Sequence, residues 1–269
     1  MKKGGILFFL LAFMFQHNAM AQQFSFQPGE NIQYTVSFSL GFISMKAAQA
    51  NLTVNNCQYE GKDALKLELA AKTIKAFKSF NIRDTLRAVA DAQTLETYFA
   101  QQQTHEDNYY SSVQTKFSHE GGKVKAEVKK FKRDGLKRDT TMYFDKGYYD
   151  VISILYNIRN IDASKLVKGQ KYPMPFLFAF DKYDLYWRYI GKEKIKLKNG
   201  ETYNCLKVCP YMTEGSLFGK GEVMTIWLTD DENHIPVLIE SKLKVGSIKA
   251  YAENIKGNKY PLTSLVSKK

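Results

Sequence analysis

Along most of this chain apolar and polar residues alternate one by one, the period of a strand with one buried face. Between Asn31 and Leu40, Ile32, Tyr34, Val36 and Phe38 alternate with Gln33, Thr35, Ser37 and Ser39. Gly41-Phe42 breaks the run, Ala47 to Val54 continues as its partner, and Asn55-Asn56 reads as the turn that ends it. Ala64 to Ala70 repeats the alternation with Leu65, Leu67 and Leu69. Thr73 to Asn81 fits either a short helix or a loop. Ile82 to Ala90 and Leu95 to Gln103 flank the polar cluster Asp91-Ala92-Gln93-Thr94. Tyr109 to Phe117 and Lys123 to Phe131 flank Gly121-Gly122, a two-residue hairpin turn.

The period then changes once. In Asp150 to Asn160, the residues Val151, Ile154, Leu155 and Ile158 fall at helical spacing behind a possible Asp150 N-cap, with Asn157 and Arg159 on a more polar face. This helix is expected to sit over one open side of the sheet, between two β halves. Strands resume with the aromatic runs Gln170 to Phe180 and Asp184 to Ile190. Lys194 to Leu197 and Thr202 to Val208 flank Asn199-Gly200, the strongest hairpin cue in the chain. From Gly221 to Ala250 the pattern is strand, Asp-rich turn at Asp230 to His234, strand, Val245-Gly246 turn, strand. Thr225 to Glu240 repeats the order strand, small residue, Asp, polar turn, strand of Ile82 to Gln103, with a turn about one residue longer. Residues 257–269 are expected to form a loosely held tail.

The N-terminus adds a compartment. Lys2 and Lys3 precede the apolar run Ile6 to Phe15, and Ala19-Met20-Ala21 gives small residues at cleavage spacing, so residues 1–21 read as a signal peptide. Gln22 follows, leaving no Cys for lipid attachment, and no later stretch suits a transmembrane segment. The expectation is an exported, periplasmic chain with residues 22–256 as a single β-rich domain. The net charge of +12 makes acidic glycans, anionic lipid head groups or plain solubility better explanations than nucleic acid outside the cell. Cys205 and Cys209, four residues apart in one strand, lie about 13 Å apart, too far for a disulfide. Three free or buried thiols are expected, although Cys57 meeting either of the others stays open.

Chemistry is sparse. After cleavage the histidines are His105, His119 and His234, none at metal-ligand spacing from another His or a Cys. Gly246-Ser247 lacks the second glycine of a nucleophile elbow, and Gly215 to Gly221 is one residue short of a phosphate loop with no helix after it. Asp230-Asp231 reads as a turn former before it reads as a carboxylate pair. No catalytic residue, metal or cofactor is assigned. Lys123, Lys125, Glu127 and Lys129 alternate with Val124, Ala126 and Val128 as the solvent face of an edge strand that lysines keep from aggregating. The same ribbon, continued by Lys130, Lys132, Arg133, Lys137 and Arg138, is alternatively a seat for phosphate or carboxylate groups.

Several segments resemble the exported bacterial family DUF3108, a domain of unknown function. They are Pro28-Gly-Glu-Asn-Ile-Gln-Tyr34, Gly41-Phe42-Ile43, Arg83-Asp84-Thr85, Asp150 to Tyr156 with Arg159, Gly200, Trp227 to Asp231 through Ile235-Pro236, and Val245-Gly246-Ser247. The resemblance implies an exported, mainly antiparallel protein and supplies no catalytic residues. A looser likeness, strand, Asp turn and strand with an early Pro, points to periplasmic lipoprotein-carrier half-barrels, whose concave side shelters acyl chains. The expected fold is therefore mainly β: strongly curved antiparallel sheet, half-barrel or barrel-like, with one principal helix near 150–160. The leading expectation is a non-enzymatic periplasmic binding or carrier module for a hydrophobic or amphipathic envelope molecule. Its contacts would be Phe176, Phe178, Tyr186 and Trp187, with Lys130, Lys132 and Arg133 at the mouth. An adaptor binding another envelope protein through a sheet edge is the alternative, and a hydrolase of envelope polymers the third.

Overall fold

A computed structural model describes residues 24–74, 81–145, 147–211 and 220–267. In chain order the strands are β1 Asn31–Leu40, β2 Ile43–Tyr59, β3 Lys62–Thr73, β4 Ile82–Asp91, β5 Thr97–Glu106, β6 Tyr109–Glu120, β7 Lys123–Lys132 and β8 Gly135–Phe144. Helix α1, Val151–Arg159, and a short 3-10 turn, Ala163–Lys165, follow. Then come β9 Lys171–Phe178, β10 Asp181–Lys196, β11 Thr202–Pro210, β12 Met224–Thr229, β13 Pro236–Lys242, β14 Ser247–Lys256 and β15 Leu265–Ser267. All pair antiparallel in one sheet of order β8-β7-β6-β5-β4-β3-β2-β1-β14-β13-β12-β11-β10-β9, with β15 added beside β11. Two meanders thus run outward from a seam where the first long strand meets the last.

The sheet is rolled but its ends do not pair. Beside end strand β9, Tyr149 makes a parallel bridge to Phe176, donating its amide to the Pro175 carbonyl and accepting from the Leu177 amide. Across the gap, Leu177 packs with Phe117, Val124, Ala126 and Val128. The Arg138 guanidinium of β8 lies 3.9 Å from the Phe180 ring centre. Curvature therefore brings side chains together where the backbone ladder stays open. No helix among the described residues is long and apolar enough to cross a membrane.

Several boundaries differ from their local signals. Asn55 and Asn56 make no turn: they pair with Lys66 and Leu65, and the hairpin closes instead at Glu60 and Gly61, both at positive φ. β7 is not an edge, because β8 covers its far side. Its alternation holds, with Val124, Ala126 and Val128 buried, while the edge role passes to β8 with Lys137, Arg138 and Asp139. Lys194 to Lys196 continues the preceding strand, since a bulge at Gly191 bends β10 without ending it. All three cysteines are free, and burial pushes the Cys205 thiol up to about 12. The tail is tied down: Asn233 Nδ2 donates to the Tyr260 carbonyl at 3.0 Å, and Ser264 Oγ donates to Asp231 Oδ2 at 2.6 Å. The signal-peptide reading (1–21), most of the ambiguous Thr73 to Asn81 stretch and most of Gly215 to Gly221 lie outside the described residues.

The paired turns share a construction. Asp91 Oδ1 accepts from the Gln93 and Thr94 amides, and Asp231 Oδ1 accepts from the Asn233 amide and the Thr229 hydroxyl. Each turn then leaves through a non-glycine residue at positive φ, Leu95 or His234. His234 is held there because its ring is buried and its Nδ1–H donates to the Arg159 carbonyl at 2.7 Å.

Helix α1 begins where its sequence places the cap. Asp150 accepts from the Ile152 and Ser153 amides, and its other oxygen takes the Ser153 and Thr97 hydroxyls. Burial holds this carboxyl above the usual range in spite of those bonds. Replacing Asp150 by Ala removes the cap and leaves the Thr97 and Ser153 hydroxyls, 3.0 Å apart, only each other, an expected loss of about 2 kcal/mol in urea unfolding. Asp150→Asn keeps an acceptor and should cost less. A raised folded-state pKa favours the fold below the ordinary carboxylate value and ceases to as pH rises through the folded value. The Asn variant should therefore lack the decline in stability that the wild type shows across that window.

Candidate functional site

The far end of the helix is fixed by a buried ion pair. Arg159 donates from Nη1 to Glu30 Oε1 at 2.6 Å and from Nη2 to Glu30 Oε2 at 2.8 Å, both side chains being fully buried. Its Nε and Nη2 also donate to the Asn233 carbonyl, and its cation lies 5.3 Å from the ring centres of Phe26 and Tyr156. The chain leading into β1, the end of α1 and the β12–β13 turn meet here. Three of the segments on which the family resemblance rests thus converge on a structural knot.

Held at both ends, the helix sinks an unexpected face. Ile152, Ser153, Tyr156, Ile158 and Arg159 are its buried residues. Of the apolar stripe Val151, Ile154, Leu155 and Ile158, only Ile158 is buried, and the whole stripe lines a cavity of about 510 Å³. The opposite walls are Leu69 and Ala71 of β3, Leu86 of β4, Met174 and Phe176 of β9, Pro210 of β11, Met224 and Ile226 of β12, and Ile239 of β13. That volume lies within the range of small-molecule sites.

Strand register explains the shape. Directly paired residues share a face, so Ile32, Leu52, Leu69, Leu86, Gln102, Val113, Lys130 and Arg138 form one row across the concave side. The next row reads Tyr34, Ala50, Ala71, Asp84, Thr104 and Ser111. Small residues in the second row leave the room; the step from Leu86 to Gln102 and from Ala71 to Asp84 ends the apolar wall. Asp84, Gln102 and Thr104 are its polar margin. Burial raises the Asp84 pKa, with the Glu106 charge adding to it, and the Asp84 Oδ1 is buried with no hydrogen-bond partner among the described residues.

The residues expected as ligand contacts divide. Phe176 lines the cavity, and Phe178, stacked on it at 5.9 Å, borders a small adjoining hollow of about 30 Å³. Trp187 is buried and stacks on Tyr172 at 4.4 Å, while Tyr186 packs against Tyr211 under the Lys171 ammonium. Lys130 stands in the concave row two strands beyond Gln102. Lys132 lies 6.0 Å from the Tyr109 ring centre, and Arg133 donates to the Asp107 carbonyl. Sequence reading missed the helix stripe as a cavity wall, although its spacing was plain.

A second hollow, of about 530 Å³, lies near the knot and is polar, with Asp162, Asp230, Asp231 and His234 on its walls. Its aspartates are engaged structurally: Asp162 caps the 3-10 turn, Asp230 pairs with Lys192 at 2.7 Å, and Asp231 ties its turn to Ser264. Burial lowers the His234 pKa, which favours the neutral ring, and its Nδ1–H is committed to the Arg159 carbonyl. The apolar cavity is the better candidate.

These features define a class: a rolled antiparallel β protein, open between β8 and β9, with a helix laid inside and an apolar hollow against it. The chain belongs to the DUF3108 family, proteins of unknown function, whose profile matches residues 33–253. The fold is similar to that of a β-barrel-like protein of the domain of unknown function DUF1849 from Brucella abortus. That likeness has TM-score 0.55 and 9% identity, covering 86% of this chain and 98% of the other. A Bacteroides fragilis protein with a YmcC-like fold gives TM-score 0.36 at 10% identity, covering 88% of this chain and 99% of its own. No curated protein matches the sequence.

Proposed function

We propose that the protein is an exported, non-enzymatic binding or carrier module for a hydrophobic or amphipathic molecule of the cell envelope. The observation that carries this reading is the apolar stripe of α1, which faces about 510 Å³ of space that the described residues leave without side chains. Interiors seldom leave such a volume unfilled, because each missing contact forfeits dispersion and transfer energy. Export rests on the N-terminal pattern of basic, apolar and small residues. Asp84, the one charged side chain of the lining among the described residues, suits a guest whose polar end donates hydrogen bonds.

The test is occupancy. Native mass spectrometry of protein purified without detergent should show a bound apolar-tailed species, and the neutral probe N-phenyl-1-naphthylamine should bind with enhanced fluorescence. Ala71→Trp places an indole in the space facing α1. It should cut probe affinity at least about tenfold while leaving or raising stability, as cavity-filling substitutions do. A wild-type protein that runs at its bare mass and takes up no probe sinks the proposal.

A further inference from the structure

The cavity draws its lining from one end of the rolled sheet. Ala71, Asp84, Thr104, Pro210 and Met224 all lie within three residues of the same ends of their strands, opposite the Glu30–Arg159 knot. At that end two turns project side by side, since Ser39 pairs with Ser247 and Gly246 packs on the Ser39 carbonyl and the Phe38 ring. Their side chains are unusual for a protein surface. Leu40 is 50% exposed, Phe42 108%, Ile43 62%, Met45 42% and Val245 65%. Scattered apolar residues need no explanation, but a cluster carried on protruding turns does.

The surrounding charge decides the occupant. Residues 40–46 and 242–249 contain Lys46, Lys242, Lys244 and Lys249 and no Asp or Glu. The first three are exposed, although Lys244 is not without a partner, and Lys249 pairs with Glu240. Exposed apolar side chains on turns flanked by lysines match the boundary of an anionic bilayer, where the former enter the acyl region and the latter stay with phosphates. A protein partner would ask for a flatter patch with shape complementarity and fewer lysines. We propose that the β1–β2 and β13–β14 turns form a docking tip for an anionic lipid surface, with Phe42 and Ile43 as its inserting residues. The tip stands at the end of the molecule where the apolar cavity lies, and it goes beyond the binding function, because it stands whether or not the cavity carries a guest.

Co-sedimentation of the processed, exported form of the protein with phosphatidylglycerol vesicles and with phosphatidylcholine vesicles tests this. The wild type should pellet with the former at least about tenfold more strongly. The double variant Phe42→Ser, Ile43→Ser should lose at least about tenfold in affinity for phosphatidylglycerol vesicles, with unfolding and N-phenyl-1-naphthylamine binding unchanged. Lys46→Glu with Lys242→Glu should reduce binding to phosphatidylglycerol and leave phosphatidylcholine binding as it was. Three results overturn the proposal: no binding to either vesicle, full binding by the serine variant, or conversion of a wild-type dimer to monomers by that variant, which marks the tip as a contact between copies. Loss of probe uptake without loss of vesicle binding would remove the carrier reading alone.

Discussion

Replacing Arg159 by Leu is expected to lower the unfolding free energy by about 3–5 kcal/mol, the cost of leaving a buried charge without its partner. Glu30 would keep a carboxylate in a site without solvent, and the Asn233 carbonyl would lose both of its guanidinium donors. Glu30→Leu should be as damaging for the mirror-image reason. The double variant is the informative one. Apolar replacement of both charges removes the unpaired ion, so it should be more stable than either single variant, with an interaction energy well above the few tenths expected of independent sites. It should still fall short of wild type by about 1–3 kcal/mol, because the Asn233 carbonyl stays unsatisfied. Urea unfolding at neutral pH measures all four proteins, and strict additivity would show that the pair is not energetically coupled.

The second large effect is expected at a glycine. Gly257 has φ of +68°, and a Cβ built there runs into the carbonyl group of Gly29, with the Glu30 amide 3.1 Å away. Both neighbours are backbone, and Gly29 is itself pinned by donating to the Val54 carbonyl at 2.8 Å. Gly257→Ala therefore has to push the lead-in to β1 outward, and with it Glu30. Backbone strain and overpacking together should cost about 2–4 kcal/mol. Gly61→Ala is the control: φ is +79°, yet nothing lies within 4 Å of the new carbon, so it should cost about 1 kcal/mol, from backbone conformation alone. Equal losses at the two positions would mean that the close approach of Gly257 to Gly29 contributes nothing.

What could be read from the sequence follows from what is local. β1 has the bounds its alternation marks, but the faces hold only over its first residues: Ile32 and Tyr34 are buried, whereas further along, where the pairing register shifts, Thr35 and Ser37 are buried too and Val36 and Phe38 only in part. Asp150 and Asn160 could be named as helix ends because capping is settled within four residues. Asn55-Asn56 misled because cross-strand pairing with β3 overrides turn preference. β8 escaped notice since Gly135 to Thr141 carries Lys137, Arg138, Asp139 and two threonines and no alternation; a strand paired on one side only has little to bury. The two largest omissions are non-local. Arg159 sits on what reads as the polar side of its helix, and its complete burial depends on Glu30, 129 residues earlier. An apolar stripe looks the same whether side chains or empty space lie opposite, so Val151, Ile154 and Leu155 announced a buried face and gave no sign of a hollow.

The seam between β1 and β14 has a consequence for how the chain acquires its shape. Ribosomal synthesis delivers β1 long before β14, and Gln27 contacts the Gly257 carbonyl across 230 residues. The first strand must wait with one side unzipped until nearly the whole polypeptide has emerged. Loop closure over such distances is slow, and an unpaired alternating strand is a template for misassembly in the meantime. Order of appearance and order of completion are thus opposed, which favours a chain kept extended by helpers until its final residues are free and then folded in one event.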